Sequence, residues 1–349
     1  MTENMITTDA APAATSKRLS TALPTRSSRR TYWTVLAVLI ALSLVFGTGL
    51  ILWDNPMPLG SDGFWRVVDL RATSVVVMAI VAVCQGIATV SFQTVANNRI
   101  ITPSILGFEA LYAAVQTSMV YFFGVAGLLA FRGLPQFAFQ VALMVGLSLT
   151  LYGWLLSGKY ANLQVMLLVG IVIGGGLGSV STFMQRMLTP STFDILTARL
   201  FGNVSNADPA YFPLAIPLVV VAAGLMLARW KRLNLLNLGR DVTTNLGVNH
   251  QREMITTLFL VSILMAVSTA LVGPMTFLGF LVATLAYQFA RTFDHRYLFP
   301  VAVLNAFVVL SGAYFVMRHI FYAQGVVSII IEMVGGTLFL VIILRKGRL

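Results

Sequence analysis

The sequence predicts an all-α membrane protein with about ten transmembrane helices. Three observations carry this reading: the composition, a series of ten apolar runs, and the placement of the basic residues. Of 349 residues, 58% are hydrophobic and 10% charged, against about 25% charged in an ordinary soluble domain. So few charges cannot cover a soluble surface of this size, and lipid becomes the solvent. The same figures exclude a disordered chain, and a single cysteine, Cys84, excludes a disulfide scaffold.

The first apolar run covers 33–53. It is about 20 residues long, enough to cross a bilayer core of about 30 Å. No small-residue cleavage site precedes Asp54, so the run reads as a spanning helix rather than a signal peptide. The stretch before it, 1–31, is rich in Ala, Ser and Thr and carries Lys17, Arg18, Arg26, Arg29 and Arg30. It reads as a flexible basic cytoplasmic tail, leaving 32–349 as one transmembrane domain. Nine further runs follow at 73–93, 105–123, 136–157, 163–185, 211–229, 254–273, 276–290, 298–317 and 325–344. The run at 276–290 is short and follows Gly273-Pro274 directly, so a re-entrant hairpin is open there as well.

An even number of crossings puts both termini on one side, and the basic residues say which. With the N-terminus inside, only Arg66, Arg71, Arg132, Arg186, Arg199 and Arg318 fall outside, and the other seventeen of the 23 Lys and Arg lie in cytoplasmic segments. The expectation is a multi-pass protein of the cytoplasmic (inner) membrane with both termini cytoplasmic. The net charge of +11 then marks orientation and calls for no nucleic-acid partner.

Several chemistries lack their residues. There is no G-x-x-x-x-G-K-[ST] loop to cradle nucleotide phosphates, no H-E-x-x-H and no Cys/His cluster. His250, His295 and His319 have no metal-ligand spacing and read as solvated or interfacial. No serine or cysteine has a base within readable reach. An intramembrane enzyme could still assemble such a pair from distant helices, but nothing supports one, and the expectation is no enzyme, with no catalytic residue, no metal ligand and no cofactor of its own.

Four features carry information. The second run ends in a polar turn, Gln93-Thr94-Val95-Ala96-Asn97-Asn98-Arg99, followed by Thr102-Pro103, a helix start. The stretch Pro103-Ser104-Ile105-Leu106-Gly107-Phe108 is echoed at Gly273-Pro274-Met275-Thr276-Phe277-Leu278-Gly279-Phe280. The two copies open helices of opposite direction, as two five-helix inverted repeats would. Gly170, Gly174 and Gly178 put three missing side chains on one helix face, for close packing within the subunit or for a subunit interface or pathway. The connection 230–253 has Leu235, Leu236, Leu238, Val242 and Leu246 around Gly239-Arg240-Asp241, then Gly247. It reads as short helix, glycine break, short helix, suited to docking a soluble partner or to lying on lipid.

These residues resemble the FecCD-type permease subunits of ATP-binding-cassette importers for iron-siderophore complexes and vitamin B12. That family's Gln…Asn-Pro-Leu-Ala-Asp-Pro-x-x-Leu-Gly pattern is similar to Gln93…Asn98 to Gly107. Its Leu-Gly-x-x-x-Ala-x-x-Leu-Gly-Val loop is similar to Leu238-Gly239…Leu246-Gly247-Val248. Its Gly-Pro-Ile-x-Phe-x-Gly-Leu…Asp-His-Arg-x-Leu-x-Pro run is similar to Gly273 to Gly279 with Asp294-His295-Arg296-Tyr297-Leu298-Phe299-Pro300. Departures at Ala283-Thr284, Tyr314 and Gly335-Gly336-Thr337, with the Phe193-Asp194…Arg199-Leu200-Phe201 segment, resemble the branch for ferric catecholate and related siderophores.

The resemblance implies the type II importer permease fold and an assembly. Two permease subunits, alike or different, enclose one pathway; an ATPase subunit dimer binds the cytoplasmic face and holds the ATP; an extracytoplasmic siderophore-binding protein delivers the ferric siderophore. Asn98 and Ile100 match the cytoplasmic gate, although Asn98 can equally satisfy loop backbone groups. Leu238, Gly239, Arg240, Asp241, Leu246 and Gly247 match the ATPase-coupling element. Arg71 and Arg318 match the arginines that dock the binding protein, or else anchor helix ends at the headgroups. Glu109 and Glu332 fall inside spans, where an ionisable group is costly. They support a competing expectation, a proton-coupled secondary transporter, although Glu109 also lies where a helix start tolerates a carboxylate.

Overall fold

The computed structural model describes residues 22–23, 25–130, 133–156, 163–204, 207–320 and 327–346. Tail residues 1–21 and the last three residues thus lie outside the described residues. Among those described, the regular structure is entirely helical: α1 (Arg26–Leu52), α2 (Asp62–Val95), α3 (Phe108–Ala130), α4 (Leu134–Leu156), α5 (Leu163–Arg186), α6 (Pro190–Leu200), α7 (Phe212–Ala228), α8 (Trp230–Leu236), α9 (Arg240–Asn245), α10 (His250–Val272), α11 (Thr276–Ala290), α12 (His295–His319) and α13 (Val327–Lys346).

Each of the ten apolar runs contains a helix, and among the described residues seven helical segments are long and apolar enough to cross a membrane. Boundaries move where capping outweighs hydropathy. The tail was expected to reach residue 31, but α1 begins at Arg26, because Thr25 and Ser28 exchange the two hydrogen bonds of a capping box. Ser61 similarly starts α2 eleven residues ahead of its apolar run by accepting from the Phe64 N–H. The third run divides instead: Pro103–Leu106 forms a 3-10 turn that ends at Gly107, whose φ of 88° no other residue adopts cheaply.

α2 and α10 form the centre, with 78% and 72% of their apolar windows buried. They pack on each other, and α12, α4, α7 and α11 surround them. α5 is the opposite case, with 11% of its window buried, so most of its surface faces outward.

The helices alternate in direction. At one end meet the start of α1 (Tyr32 hydroxyl to Tyr297 carbonyl, 3.1 Å), the ends of α2, α4, α7 and α11, and the starts of α10 and α12. This end also carries Arg99, Arg229, Lys231, Arg232, Arg240, Arg291 and Arg296, and is called the basic end below. At the opposite end α1 gives way to α2, and α10 closes with its Val272 carbonyl accepting from the Asn203 N–H at 2.8 Å.

Candidate coupling and gating site

The connection after α7 is fastened to the body before it projects from it. Arg229 and Arg232 both pair with the buried Glu253 carboxylate at the start of α10, Arg232 at 2.5 Å. Leu233 and Leu236 bury against the core. Past Gly239, whose φ of 90° turns the chain, α9 swings outward. Its position is held by Thr243, fully buried, whose hydroxyl lies 2.6 Å from the Gly239 carbonyl and 2.9 Å from that of Leu235. The result is a small rigid knob. Leu238, Val242 and Leu246, four residues apart, are 56%, 45% and 58% exposed on it. Arg240 and Asp241 are exposed beside them, and Gly247 ends the element with a φ of 80°.

The turn expected to gate the pathway lies on the same end. Asn97 takes a left-handed φ of 47°. The Asn98 side chain accepts the Ile100 N–H at 2.9 Å, so its carboxamide does satisfy loop backbone. Asn98 is exposed and Ile100 half-buried. The buried Gln93 amide donates to the Arg99 carbonyl at 2.7 Å, and the Arg99 guanidinium sits 4.6 Å from the ring centres of both Tyr287 and Phe293. The turn is therefore clasped by α2 from within and by α11 and the α11–α12 loop from outside.

At the opposite end the two expected docking arginines part company. Arg71 is 7% exposed, not presented outward. Its Nη1 donates to the carbonyls of Trp53 (2.7 Å) and Ile51 (3.3 Å), and Nη2 to that of Asp54 (2.9 Å). It thus caps the negative end of α1, whose free carbonyls are its nearest acceptors. Arg318, in the last turn of α12, is half-buried and close enough to Arg71 to act on it electrostatically.

The glycine stripe of α5 is also divided. A Cβ on Gly170 would lie 3.3 Å from the Leu106 backbone, and one on Gly174 3.3 Å from Gly107, whereas Gly178 has nothing within 4 Å. The first two therefore serve packing within the chain. The face that α5 leaves open is the other one, with Leu168, Val172, Gly175, Gly176, Ser179 and Phe183.

The two echoed motifs meet. Glu109, half-buried in the first turn of α3, accepts from the Thr276 hydroxyl at 2.6 Å, and Ser104 and the Met275 backbone also hydrogen-bond to it. Each motif carries a glycine at φ 88°, Gly107 and Gly273, and each glycine is pressed on a second one, Gly174 and Gly202. Glu332 is half-buried on α13 and near enough to Glu109 to interact. Among the described residues neither carboxylate has a basic partner within ion-pair distance.

Sequence reasoning missed one constellation. His295, read as solvated or interfacial, is 1% exposed and hydrogen-bonded to Asn234 of α8 and Thr94 of α2. Its correction follows from capping: Asp294 caps α12, accepting the Arg296 N–H at 3.0 Å, which turns the next side chain inward. The Asp294-His295-Arg296 string was the available signal; nothing in the sequence marks Asn234. Among the described residues no group of three or more His, Cys, Asp or Glu is placed to hold a metal ion.

Comparison with known proteins places this arrangement. The family model described as the FecCD transport family matches residues 35–345. The chain is similar to the petrobactin import system permease protein FatC of Bacillus anthracis, 57% identical over 95% of this chain and 94% of that one. It is 33% identical to the petrobactin import system permease protein YclO of Bacillus subtilis, over 90% of this chain and 98% of that one. The fold is similar to a solved chain described as an inward-facing conformation of a metal-chelate type ABC transporter, with a TM-score of 0.77 at 19% identity, covering 89% of this chain and 99% of that one. With a family model covering nearly its whole length and relatives of this identity, the chain belongs to the FecCD transport family, the permeases of metal-chelate ABC importers.

Proposed function

We propose that this chain is one permease of a pair that carries a ferric siderophore of the petrobactin type across the cytoplasmic membrane, with its basic end in the cytoplasm. The exposed knob of α9 is the observation that carries the mechanism. Three apolar side chains on and flanking this fastened, projecting helix form a docking contact for a soluble ATPase subunit, and the ion pairs of Glu253 pass its displacement to α10 rather than letting it flex. ATP is bound and hydrolysed on those partners, and no bond is made or broken in this chain.

The pair is expected to be mixed. The petrobactin import system permease protein FatD of Bacillus anthracis is 25% identical to this chain over 82% of it, while FatC of that organism is 57% identical. Two distinct permeases of that organism thus carry the petrobactin import name, and this chain corresponds to FatC. The open face of α5 suits the second permease, because its small residues let two backbones approach. Delivery by an extracytoplasmic binding protein would use the end that carries Arg318.

The test is uptake of radiolabelled ferric petrobactin in cells lacking this chain and complemented with it. Uptake should require both this chain and the phosphate-loop lysine of the partner ATPase. Uptake that persists with that lysine replaced would remove the ATP-driven reading and favour proton coupling through Glu109 and Glu332.

A further inference from the structure

We propose that His295 is a positioning residue for transport, joining the α8 stem of the docking knob to the last turn of α2 and so passing displacement of α8 and α9 to the turn at Asn97–Ile100. The proposal rests on α9 being the ATPase-docking element.

The ring, carried by α12, touches two other elements, α8 and α2, each through one nitrogen. Nδ1 is 2.6 Å from Asn234 Oδ1, which also accepts the His295 backbone N–H at 3.0 Å. The amide of Asn234 cannot be turned the other way, because its Nδ2 donates to Asp294 Oδ1 at 2.9 Å. Asn234 Oδ1 is therefore an acceptor and Nδ1 carries the ring proton. In the neutral ring Nε2 is then the acceptor, and it faces Thr94 Oγ1 at 2.8 Å.

Thr94 has a second acceptor for its one hydroxyl proton. The Val90 carbonyl, one turn back in α2, lies 2.9 Å from the same oxygen. With Asn234 holding the ring in place the proton goes to Nε2, tying α2 to α12 and, through Asn234, to α8. If α8 draws Asn234 away, the ring loses its tautomer constraint and the hydroxyl falls back on Val90 inside its own helix. Both arrangements leave Thr94 satisfied, with Tyr287 hydrogen-bonded to it as well, whereas the second leaves the buried His295 nitrogens unpaired, so the joined arrangement is the resting one and parting it takes work from α8. That makes the contact a two-position joint.

The joint ends at the gate. The Thr94 carbonyl accepts the Asn97 N–H at 3.2 Å, and the neighbouring Gln93 accepts the Asn98 N–H at 3.1 Å. A cavity of about 80 Å³ lies between ring and turn, lined by Gln93, Thr94, Asn98, Arg99, Asn237 and His295. Gln93 Oε1 is buried there without a hydrogen-bond partner, so this corner is not locked by a complete network. A contiguous path alone shows no coupling, and the proposal has to be measured as coupling.

The experiment uses the whole importer, with both permeases, ATPase and binding protein, in proteoliposomes. Thr94→Val removes the hydroxyl at nearly constant volume, and His295→Phe keeps a ring without nitrogens. Two quantities are read: ATP hydrolysed, and ferric siderophore moved per ATP. Each variant should keep its ATPase and hydrolyse ATP within about twofold of the parent, while siderophore moved per ATP falls about fivefold or more. The double variant should fall no further than the worse single one, because both substitutions cut one link. Unchanged siderophore per ATP in Thr94→Val overturns the proposal, and so does a multiplicative loss in the double variant; if His295→Phe fails to assemble, Thr94→Val decides alone. A failure of the docking premise shows separately, as an ATPase that stays bound when Leu238 and Val242 are both replaced by Asp.

Discussion

The Glu109 carboxylate accepts the Thr276 hydroxyl at 2.6 Å, joining the first turn of α3 to the first turn of α11 across 167 residues of sequence. α11 has 15 residues, about 22 Å of helix, which is shorter than a bilayer core of about 30 Å. Its start therefore lies within the membrane layer, and there two positive helix ends share one carboxylate.

Thr276→Val should accordingly cost stability rather than transport chemistry. Leaving a buried carboxyl oxygen without this donor costs roughly 1–3 kcal/mol, visible as a lowered Tm of the purified complex. Glu109→Gln, which still accepts from Thr276, should keep uptake within about threefold, since an amide oxygen replaces most of the bond. Abolished uptake in a folded Glu109→Gln protein would instead make the carboxylate a proton-carrying group.

The α9 knob should fail by charge. Asp at Leu238 and Val242 places carboxylates on a contact that must desolvate, and loss of anchors of this kind weakens interfaces by roughly 2 kcal/mol or more each. The ATPase should no longer co-purify, while the helical content of the permease stays as before. Retained co-purification would move the docking surface elsewhere.

Arg71 and Arg318 should separate in kind. Arg71→Ala strands three backbone carbonyls at the end of α1 and should lower Tm and yield, and Lys should not restore them, because an ammonium lacks the guanidinium fork. Arg318→Ala should leave Tm nearly unchanged but slow binding-protein association, most at low salt. An association rate that ignores both the substitution and the salt would leave Arg318 as a headgroup anchor.

The two faces of α5 should also respond differently. Gly174→Val pushes a side chain against the Gly107 backbone, an overpacking cost of about 1–3 kcal/mol, and should deplete the chain itself. Gly175→Trp meets open space and should leave the chain intact while reducing recovery of the second permease. Equal effects on both measures would merge the two faces.

Much of this was legible in the sequence for identifiable reasons. Hydropathy locates the ten apolar helices, because lipid leaves the backbone no alternative to internal hydrogen bonds. It misplaces the starts of α1 and α2, because Thr25 and Ser61 act through caps that hydropathy does not see. The knob was visible as Leu238, Val242 and Leu246 at four-residue spacing, with Gly239 and Gly247 each following a leucine. His295 was misread because polarity suggests exposure, whereas it is buried with Asn234 and Thr94, and the three carbonyls around Arg71 likewise converge only in three dimensions. The Gly170 and Gly174 spacing reported a close approach correctly, but periodicity cannot say whether the neighbour belongs to the same chain.

The bare flank of α5 has a consequence for how much of the protein a cell can hold. With 11% of its apolar window buried and Ser179 and Thr182 on the outward side, a lone copy shows lipid a seam of small and hydroxyl-bearing residues, the features by which quality-control proteases can single out orphan subunits. Supply of the protein would then follow supply of its mate, whatever its own synthesis rate. In a pulse-chase experiment the chain made alone should decay several-fold faster than the chain made with the second permease, and matching half-lives would break that link.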